Sequence, residues 1–143
     1  MFKIKKNLSM LKPKNSKYRK AFRGKISGCE TKVIELAFGN FGIKVLKSGR
    51  IPSKRLEAVR KALSKELKGH GKLWLRIFPH VPVTSKPAET RMGKGKGNVS
   101  HYCCMVKAGR IVFEFQGIPT YIMTNIIKIA STKLSLPIKM IQL

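Results

Sequence analysis

The stretch from Lys86 to Asn98 places the firmest constraint on how this chain folds, because it is almost free of apolar side chains. It reads Lys-Pro-Ala-Glu-Thr-Arg-Met-Gly-Lys-Gly-Lys-Gly-Asn and lies between two segments with strand patterns. Such a stretch cannot join a hydrophobic core, so it predicts a long loop with a functional role. Its glycines let the main chain approach a ligand closely, and its lysines bring positive charge. The pattern favours contact with a phosphate backbone, and a basic surface loop without a ligand is the alternative.

The charge balance points to the same kind of partner. Lys and Arg number 31 against six acidic residues, which gives a formal net charge of +25 at pH 7. An excess of this size opposes folding through self-repulsion, and a polyanion compensates it. Because 43% of the residues are hydrophobic, the chain is too apolar for a disordered basic tail. We therefore expect a folded domain that binds nucleic acid.

Membrane association is the competing use of positive charge, and the sequence gives it little support. There is no run of roughly 18 apolar residues to span a bilayer, and the N-terminus lacks the apolar stretch of a secretory signal. The three cysteines, Cys29, Cys103 and Cys104, are an odd number that suits free thiols in a reducing compartment. We expect no membrane partner.

Periodicity and turn residues divide the chain into a basic N-terminal extension, residues 1–27, and one globular α+β domain, residues 28–143. Two helices are predicted at 53–68, with Ser53 as N-cap, and at 119–134. Ile122, Ile126, Ile129 and Ala130 form the predicted inward face of the second helix. Strand patterns are predicted at 32–38, 41–46, 72–78, 102–107, 110–115 and 138–142. A hairpin is expected at Ala108-Gly109, and the most economical architecture packs both helices on one face of a largely antiparallel sheet.

Basic and aromatic residues mark the predicted RNA contacts. In the N-terminal extension, cations are interleaved with Tyr18 and Phe22, whose rings would stack on bases or pack against the domain. A solvated tail is the alternative there, and a solvated face is the alternative for the lysines of the first helix. The predicted RNA-binding residues are Lys12, Lys14, Lys17, Tyr18, Arg19, Lys20, Arg23, Lys25, Arg50, Lys54, Arg55, Arg60, Arg76, Lys86, Arg91, Lys94 and Lys96.

Catalytic and cofactor signatures are weak. The run from Gly93 to Gly97 fits neither G-x-x-x-x-G-K-[ST] nor G-x-G-x-x-G. His101, Cys103 and Cys104 lack the second ligand pair that a zinc site needs. The chain has no Asp and only six Glu, so it offers few carboxylates for catalysis by a carboxylate pair. We expect a binding protein rather than an enzyme, with no cofactor and no metal.

Several short motifs follow one another along the chain in the order and spacing of a known family. The strongest are Gly-Lys-Leu-Trp-Leu-Arg-Ile-Phe-Pro at 71–79 and Lys-Pro-Ala-Glu-Thr-Arg-Met-Gly-Lys-Gly-Lys-Gly at 86–97. The others lie at 10–14, 17–20, 38–42, 49–50, 57–62, 109–114 and 117–119. Together they resemble the bacterial-type ribosomal protein L-sixteen family of the large subunit, and the resemblance covers nearly everything from Met10 onward.

This resemblance implies an α+β domain bound to large-subunit rRNA beside the aminoacyl-tRNA site. It implies A-site tRNA and neighbouring large-subunit ribosomal proteins as further partners, with roles in subunit assembly and tRNA positioning. The long loop, 81–98 by position, would point toward the peptidyl-transferase centre. A free-standing RNA chaperone or nucleoid-type nucleic-acid-binding protein is the alternative function.

Departures from the family pattern bear on the compartment. His80-Val81 replaces the usual Asp-Lys, and His101-Tyr102-Cys103-Cys104 replaces the usual Glu-Tyr-Trp-Val. Usage rich in Lys, Ile and Asn resembles proteins encoded in A+T-rich organelle genomes. We expect the mitochondrial matrix, with a plastid or the bacterial cytoplasm as alternatives.

Overall fold

The computed structural model describes residues 11–143, so residues 1–10 of the predicted N-terminal extension lie outside the described residues. Nine elements follow one another along the chain. They are β1 Phe41–Val45, β2 Gly49–Pro52, α1 Ser53–Glu66, β3 Lys72–Leu75, β4 Val81–Ser85, β5 Asn98–Val106, β6 Ile111–Gln116, α2 Thr120–Lys133 and β7 Ile138–Gln142. The fold is α+β, as predicted.

The strands form two antiparallel sheets where the sequence led us to expect one. The four-stranded sheet has the order β3-β6-β1-β7, and the three-stranded sheet has the order β2-β5-β4. The two helices contact each other, α1 also contacts β2 and β5, and α2 contacts β7. The helices therefore join the two sheets instead of covering one face of a single sheet.

The core lies where the helical stripes meet the sheets. Leu56, Val59 and Leu63 of α1 are spaced three or four residues apart, and all three are fully buried, so they form the apolar stripe of this helix. In α2 the fully buried residues include Met123 besides Ile126 and Ala130. Ile122 and Ile129 of the predicted inward face are only partly buried. Each helix begins directly after an extended proline, Pro52 or Pro119, whose side chain makes no capping hydrogen bond. Ser53 is thus the first helical residue and not the N-cap.

Strand β6 is one of the two inner strands of the four-stranded sheet, and it is covered on both faces. All five residues from Ile111 to Phe115 are buried, the signature of a strand with protein on either side. Opposite Glu114 lie Trp74 of β3 and Gly42 of β1. A Cβ atom on Gly42 would lie 2.5 Å from Cδ2 of Leu36, so the chain around Leu36 packs directly on this face.

The segment predicted as a strand at 32–38 forms this cover and is not a strand. The backbone N–H groups of Ala37 and Phe38 donate to the Glu114 carboxylate at 3.1 and 2.7 Å. A buried side chain thus satisfies these donors in place of a neighbouring strand. The ring of Phe38 stacks on that of Trp74, with 6.0 Å between the centroids.

The predicted hairpin at Ala108-Gly109 is also wrong, because β5 and β6 belong to different sheets. The turn between them is tied to other elements. Gly109, at φ +94°, donates its N–H to the carbonyl of Val45, and the N–H of Ala108 donates to Oγ of Ser48. These bonds redirect the chain so that β6 pairs with β1 instead of β5.

Candidate nucleic-acid interface

Two irregular stretches present most of the predicted RNA-binding residues. We call residues 11–27 the N-terminal segment and residues 86–97 the glycine-rich loop; neither contains a helix or strand in the described structure. The predicted loop 81–98 begins within β4 and ends at the start of β5, so its irregular part is shorter than expected. The cations exposed in these two stretches are Lys12, Lys14, Lys17, Arg19, Lys20, Arg23, Lys25, Lys86, Arg91, Lys94 and Lys96.

The backbone of the glycine-rich loop turns where its glycines fall. Gly93, Lys94 and Gly95 have successive φ values of +94°, +54° and +76°. Two of the three positions are glycine, which adopts positive φ without steric cost. The Lys86 ammonium donates to the Gly93 carbonyl at 2.5 Å and closes the loop on itself. Met92, which is 99% exposed, lies beside this turn.

Lysine side chains hold the loop against the N-terminal segment. Lys20 donates from Nζ to the Lys96 carbonyl at 2.8 Å, and Lys96 donates from Nζ to the Ala21 carbonyl at 2.6 Å. Arg50 of β2 donates from one Nη to the carbonyls of Arg23 and Gly24, each at 2.6 Å. All three cations have carbonyl partners, so their positive charge stays unneutralised.

A cavity of about 70 Å³ lies where these parts meet. Its lining includes Ala21 and Arg23 of the N-terminal segment, Lys96 of the loop, Arg50 of β2, Val83 of β4 and Met105 of β5. The N-terminal segment and the glycine-rich loop therefore lie against the three-stranded sheet.

Two predicted RNA-binding arginines are engaged inside the domain. Arg76 pairs with Glu114, whose side chain is fully buried, and its guanidinium lies 5.0 Å from the centroid of the Phe38 ring. Arg60 pairs with Glu57 at 2.7 Å. The hydrogen bond and charge of Glu57 raise the pKa of Arg60, and Arg60 in turn lowers the pKa of Glu57. Arg60 and Arg76 therefore have a structural role, because each forms an ion pair within the domain.

The remaining predicted cations, Lys54 and Arg55, lie on α1 and are exposed. Lys61 and Lys65 of the same helix, which were not among the predicted contacts, are exposed as well. The Lys61 ammonium is 3.8 Å from the Glu57 carboxylate, the i,i+4 spacing expected on one helical face.

The aromatic residues of the N-terminal segment are free of the core. Tyr18 is 70% exposed and Phe22 is 88% exposed, so these rings do not pack against the domain. The Lys17 ammonium lies 5.6 Å from the Tyr18 ring centroid. Stacking of the Tyr18 and Phe22 rings on bases, the other role expected from the sequence, stays a prediction.

Contacts between distant segments are what sequence reasoning missed. Lys20 and Lys96 are 76 positions apart, and no local pattern marks them as partners. The Arg110–Glu30 pair, at 2.9 Å, spans 80 positions and was likewise unforeseen. Arg110 lowers the pKa of Glu30 mainly through its hydrogen bond.

The cysteines of β5 are structural. Cys103 and Cys104 are both buried, and Cys104 belongs to the hydrophobic core. Burial raises the pKa of both thiols, that of Cys104 to about 11. Neither helix of the described part of the chain has the length and apolar character that crossing a bilayer requires.

Residues 13–141 match the family described as Ribosomal protein L16p/L10e. The protein named large ribosomal subunit protein uL16 from Allorhizobium ampelinum is 45% identical over 133 residues, which cover 93% of this chain and 97% of the relative. Proteins of the same name from Rhizobium etli and Agrobacterium fabrum are each 44% identical over the same shares of both chains. The family match spans most of the sequence and agrees with the resemblance found in its motifs. The chain belongs to the ribosomal protein L16p/L10e family.

Proposed function

We propose that the chain is a structural constituent of the large ribosomal subunit that binds large-subunit rRNA and neighbouring ribosomal proteins. Its family is one of ribosomal proteins, and the relatives carry the name of a large-subunit protein. The chain is accordingly a ribosomal protein and not an enzyme.

One observation carries the RNA-binding part of the proposal. Lys20, Lys96 and Arg50 lie close together in the fold and donate to main-chain carbonyls, so no carboxylate cancels their charge. A concentration of uncompensated cations on exposed, irregular backbone fits the phosphates of folded RNA. Exposed Tyr18 and Phe22 add faces on which unpaired bases stack.

The finer assignment concerns the glycine-rich loop. We propose that it reaches toward the peptidyl-transferase region and helps position A-site tRNA, with Arg91 and Lys94 as its outward cations. Both side chains are exposed, and in the described structure neither donates a hydrogen bond to another protein group. They are thus available to an external phosphate. Support for late assembly of the subunit follows from the same charge, because cations between rRNA helices reduce phosphate repulsion.

We propose the mitochondrial matrix as the location. Support comes from the replacement of an expected Asp by His80, from the His101-Tyr102-Cys103-Cys104 phrase and from usage rich in Lys, Ile and Asn. The named relatives are bacterial, which fits the bacterial alternative.

The test is quantitative mass spectrometry across sucrose gradients of cell and purified organelle lysates, in low and then high salt. Comigration with the large subunit that persists into high salt is the expected result, in the mitochondrial fraction. Comigration in a plastid or whole-cell fraction alone would overturn the location and keep the function. A peak at the top of the gradient in low salt would contradict the ribosomal function and favour a free-standing RNA-binding protein.

A further inference from the structure

We infer that Lys20, Lys96 and Arg50 are positioning residues that fasten the N-terminal segment to the glycine-rich loop and the three-stranded sheet before any RNA is bound. We call this set of side-chain-to-carbonyl hydrogen bonds the clasp. Through it the two cationic stretches become one preformed surface for a folded RNA.

The clasp is reciprocal, and this distinguishes it from a chance contact of one flexible side chain. Lys20 reaches from the segment to the Lys96 carbonyl of the loop, while Lys96 reaches back to the Ala21 carbonyl of the segment. The two bonds, at 2.8 and 2.6 Å, close a ring between stretches 76 and 75 positions apart.

Arg50 holds the same segment from the side of the three-stranded sheet. Its Nη donates to two successive carbonyls, those of Arg23 and Gly24, and its backbone is fixed because β2 pairs with β5. Side-chain donors thus hold carbonyls on both sides of Phe22. The exposed Phe22 ring is presented outward as a consequence.

The charge of the two stretches makes such a device necessary. Residues 11–27 contain no acidic residue, and residues 86–97 contain only Glu89, so the stretches repel each other electrostatically. Hydrogen bonds from ammonium and guanidinium groups to carbonyls are charge-assisted and offset this repulsion without neutralising the cations. Each ammonium carries three donors, so donors remain for phosphate while the clasp stays closed.

Preorganisation is the functional consequence. A segment that is already ordered loses less conformational entropy on binding than a free basic tail does. We therefore expect the clasp residues to affect rRNA affinity through the order of the segment as well as through their charge.

The first test measures the order of the segment in the free, full-length chain. Because a protease binds its target segment in an extended conformation, we expect chymotrypsin to cleave after Phe22 faster when the backbone around it leaves the domain. We expect Lys96→Met to raise the initial cleavage rate about fivefold, the factor that loss of about one net hydrogen bond gives. Arg50→Met removes two hydrogen bonds and should raise the rate by at least as much. Lys94→Met is the matched control: it removes the same charge from the same loop and breaks no clasp bond, so its rate should equal that of the wild type. Lys96→Arg, which keeps a cationic donor, should restore slow cleavage.

The second test rests on the proposed function and uses a fragment of large-subunit rRNA over a range of salt concentrations. At 1 M salt the counterion contribution to affinity vanishes. There, Lys128→Met, which removes an exposed cation of α2 outside the proposed RNA-binding surface, should bind like the wild type, and Arg50→Met should bind about fivefold more weakly. The double variant Arg50→Met/Lys96→Met should be no weaker than the single variants, because each opens the same clasp.

The outcomes separate the two ideas. If Arg50→Met and Lys96→Met were both cleaved after Phe22 at the wild-type rate, the clasp would be overturned, even if salt-dependent rRNA binding persisted. Faster cleavage in both variants with no rRNA binding by the wild type would support the clasp and contradict the proposed function. Additive losses of affinity at 1 M salt would overturn shared positioning and assign the two residues separate RNA contacts.

Discussion

The Arg76–Glu114 site and the clasp both place cations against the fold, but they use them in opposite ways. At the first site, a fully buried carboxylate takes the arginine charge and also accepts the N–H groups of Ala37 and Phe38. In the clasp, Lys20 and Lys96 donate to carbonyls and keep their charge. The Arg76–Glu114 site holds the segment around Phe38 onto the core. The clasp holds the N-terminal segment and leaves its positive charge available to polyanions.

The difference shows how a chain with six acidic residues distributes them. Glu30, Glu57 and Glu114 each pair with an arginine within the domain. The N-terminal segment has no carboxylate, and its exposed cations stay uncompensated. Neutralisation is thus concentrated in the folded part of the molecule, and charge is retained on the proposed RNA-binding surface.

The largest expected effect comes from removing the buried carboxylate. Glu114→Gln leaves Arg76 without its counter-charge and sets an amide NH₂ among backbone donors, so the free energy of unfolding should fall by about 4 kcal/mol. Urea titration measures this. The control, Glu89→Gln in the exposed loop, should change stability little. A Glu114→Gln protein as stable as the control would mean that Glu114 does not hold the covering segment.

A comparison of glycines probes the same two regions through backbone packing. A Cβ on Gly39 would lie 2.2 Å from the Phe115 carbonyl oxygen, so Gly39→Ala must displace backbone and should destabilise the fold by about 2 kcal/mol. A Cβ on Gly93 meets nothing within 4 Å, but its φ of +94° is unfavourable for alanine. Gly93→Ala should therefore cost about 1 kcal/mol. Thermal unfolding distinguishes them, and a reversed order would contradict the packing of Gly39 against β6.

Acid dependence gives a smaller effect. The pKa of Glu57 is below its usual 4.5, chiefly because of its hydrogen bond with Arg60. Its contribution to stability is present above pH 4.5 and is lost as the pH falls through the lowered folded-state pKa. Because the pair is partly exposed, this contribution is about 1 kcal/mol or less. Glu57→Gln should thus lose less stability than the wild type when urea midpoints are compared between about pH 5 and pH 3. Parallel pH curves would exclude a stabilising Glu57–Arg60 pair.

Elements with a clear period could be predicted from the sequence. The apolar stripe of α1 and the strand at Ile138–Gln142 follow from local spacing, and both are present. Strand β4 was missed because its residues were assigned to the long loop at 81–98. It contains Pro82 and lies at the edge of its sheet, where proline is tolerated. The assignment of β5 and β6 to different sheets depends on bonds from the turn to Val45 and Ser48, which no local pattern reveals.

In the candidate site, too, some features follow from the local sequence and others depend on tertiary contacts. Composition alone predicts that the glycine-rich loop and the N-terminal segment are exposed and basic. Which cations remain free depends on tertiary partners: Arg60 and Arg76 find carboxylates, Lys20 and Lys96 find carbonyls, and Lys94 finds no protein partner in the described structure. Apart from the local Glu57–Arg60 pair, these pairings join distant parts of the chain, so they appear only in the fold.

The central claim, that the glycine-rich loop is part of the RNA-binding surface, is tested most directly by the salt dependence of affinity for a large-subunit rRNA fragment. Arg91→Met/Lys94→Met removes two exposed loop cations, and Lys128→Met/Lys133→Met removes two exposed cations of α2 as the matched control. If the loop contacts phosphates, the slope of log affinity against log salt should become shallower by about 1.4 to 1.8 for the loop variant. The control slope should stay at the wild-type value. Equal slopes for the two variants would contradict the assignment of the loop.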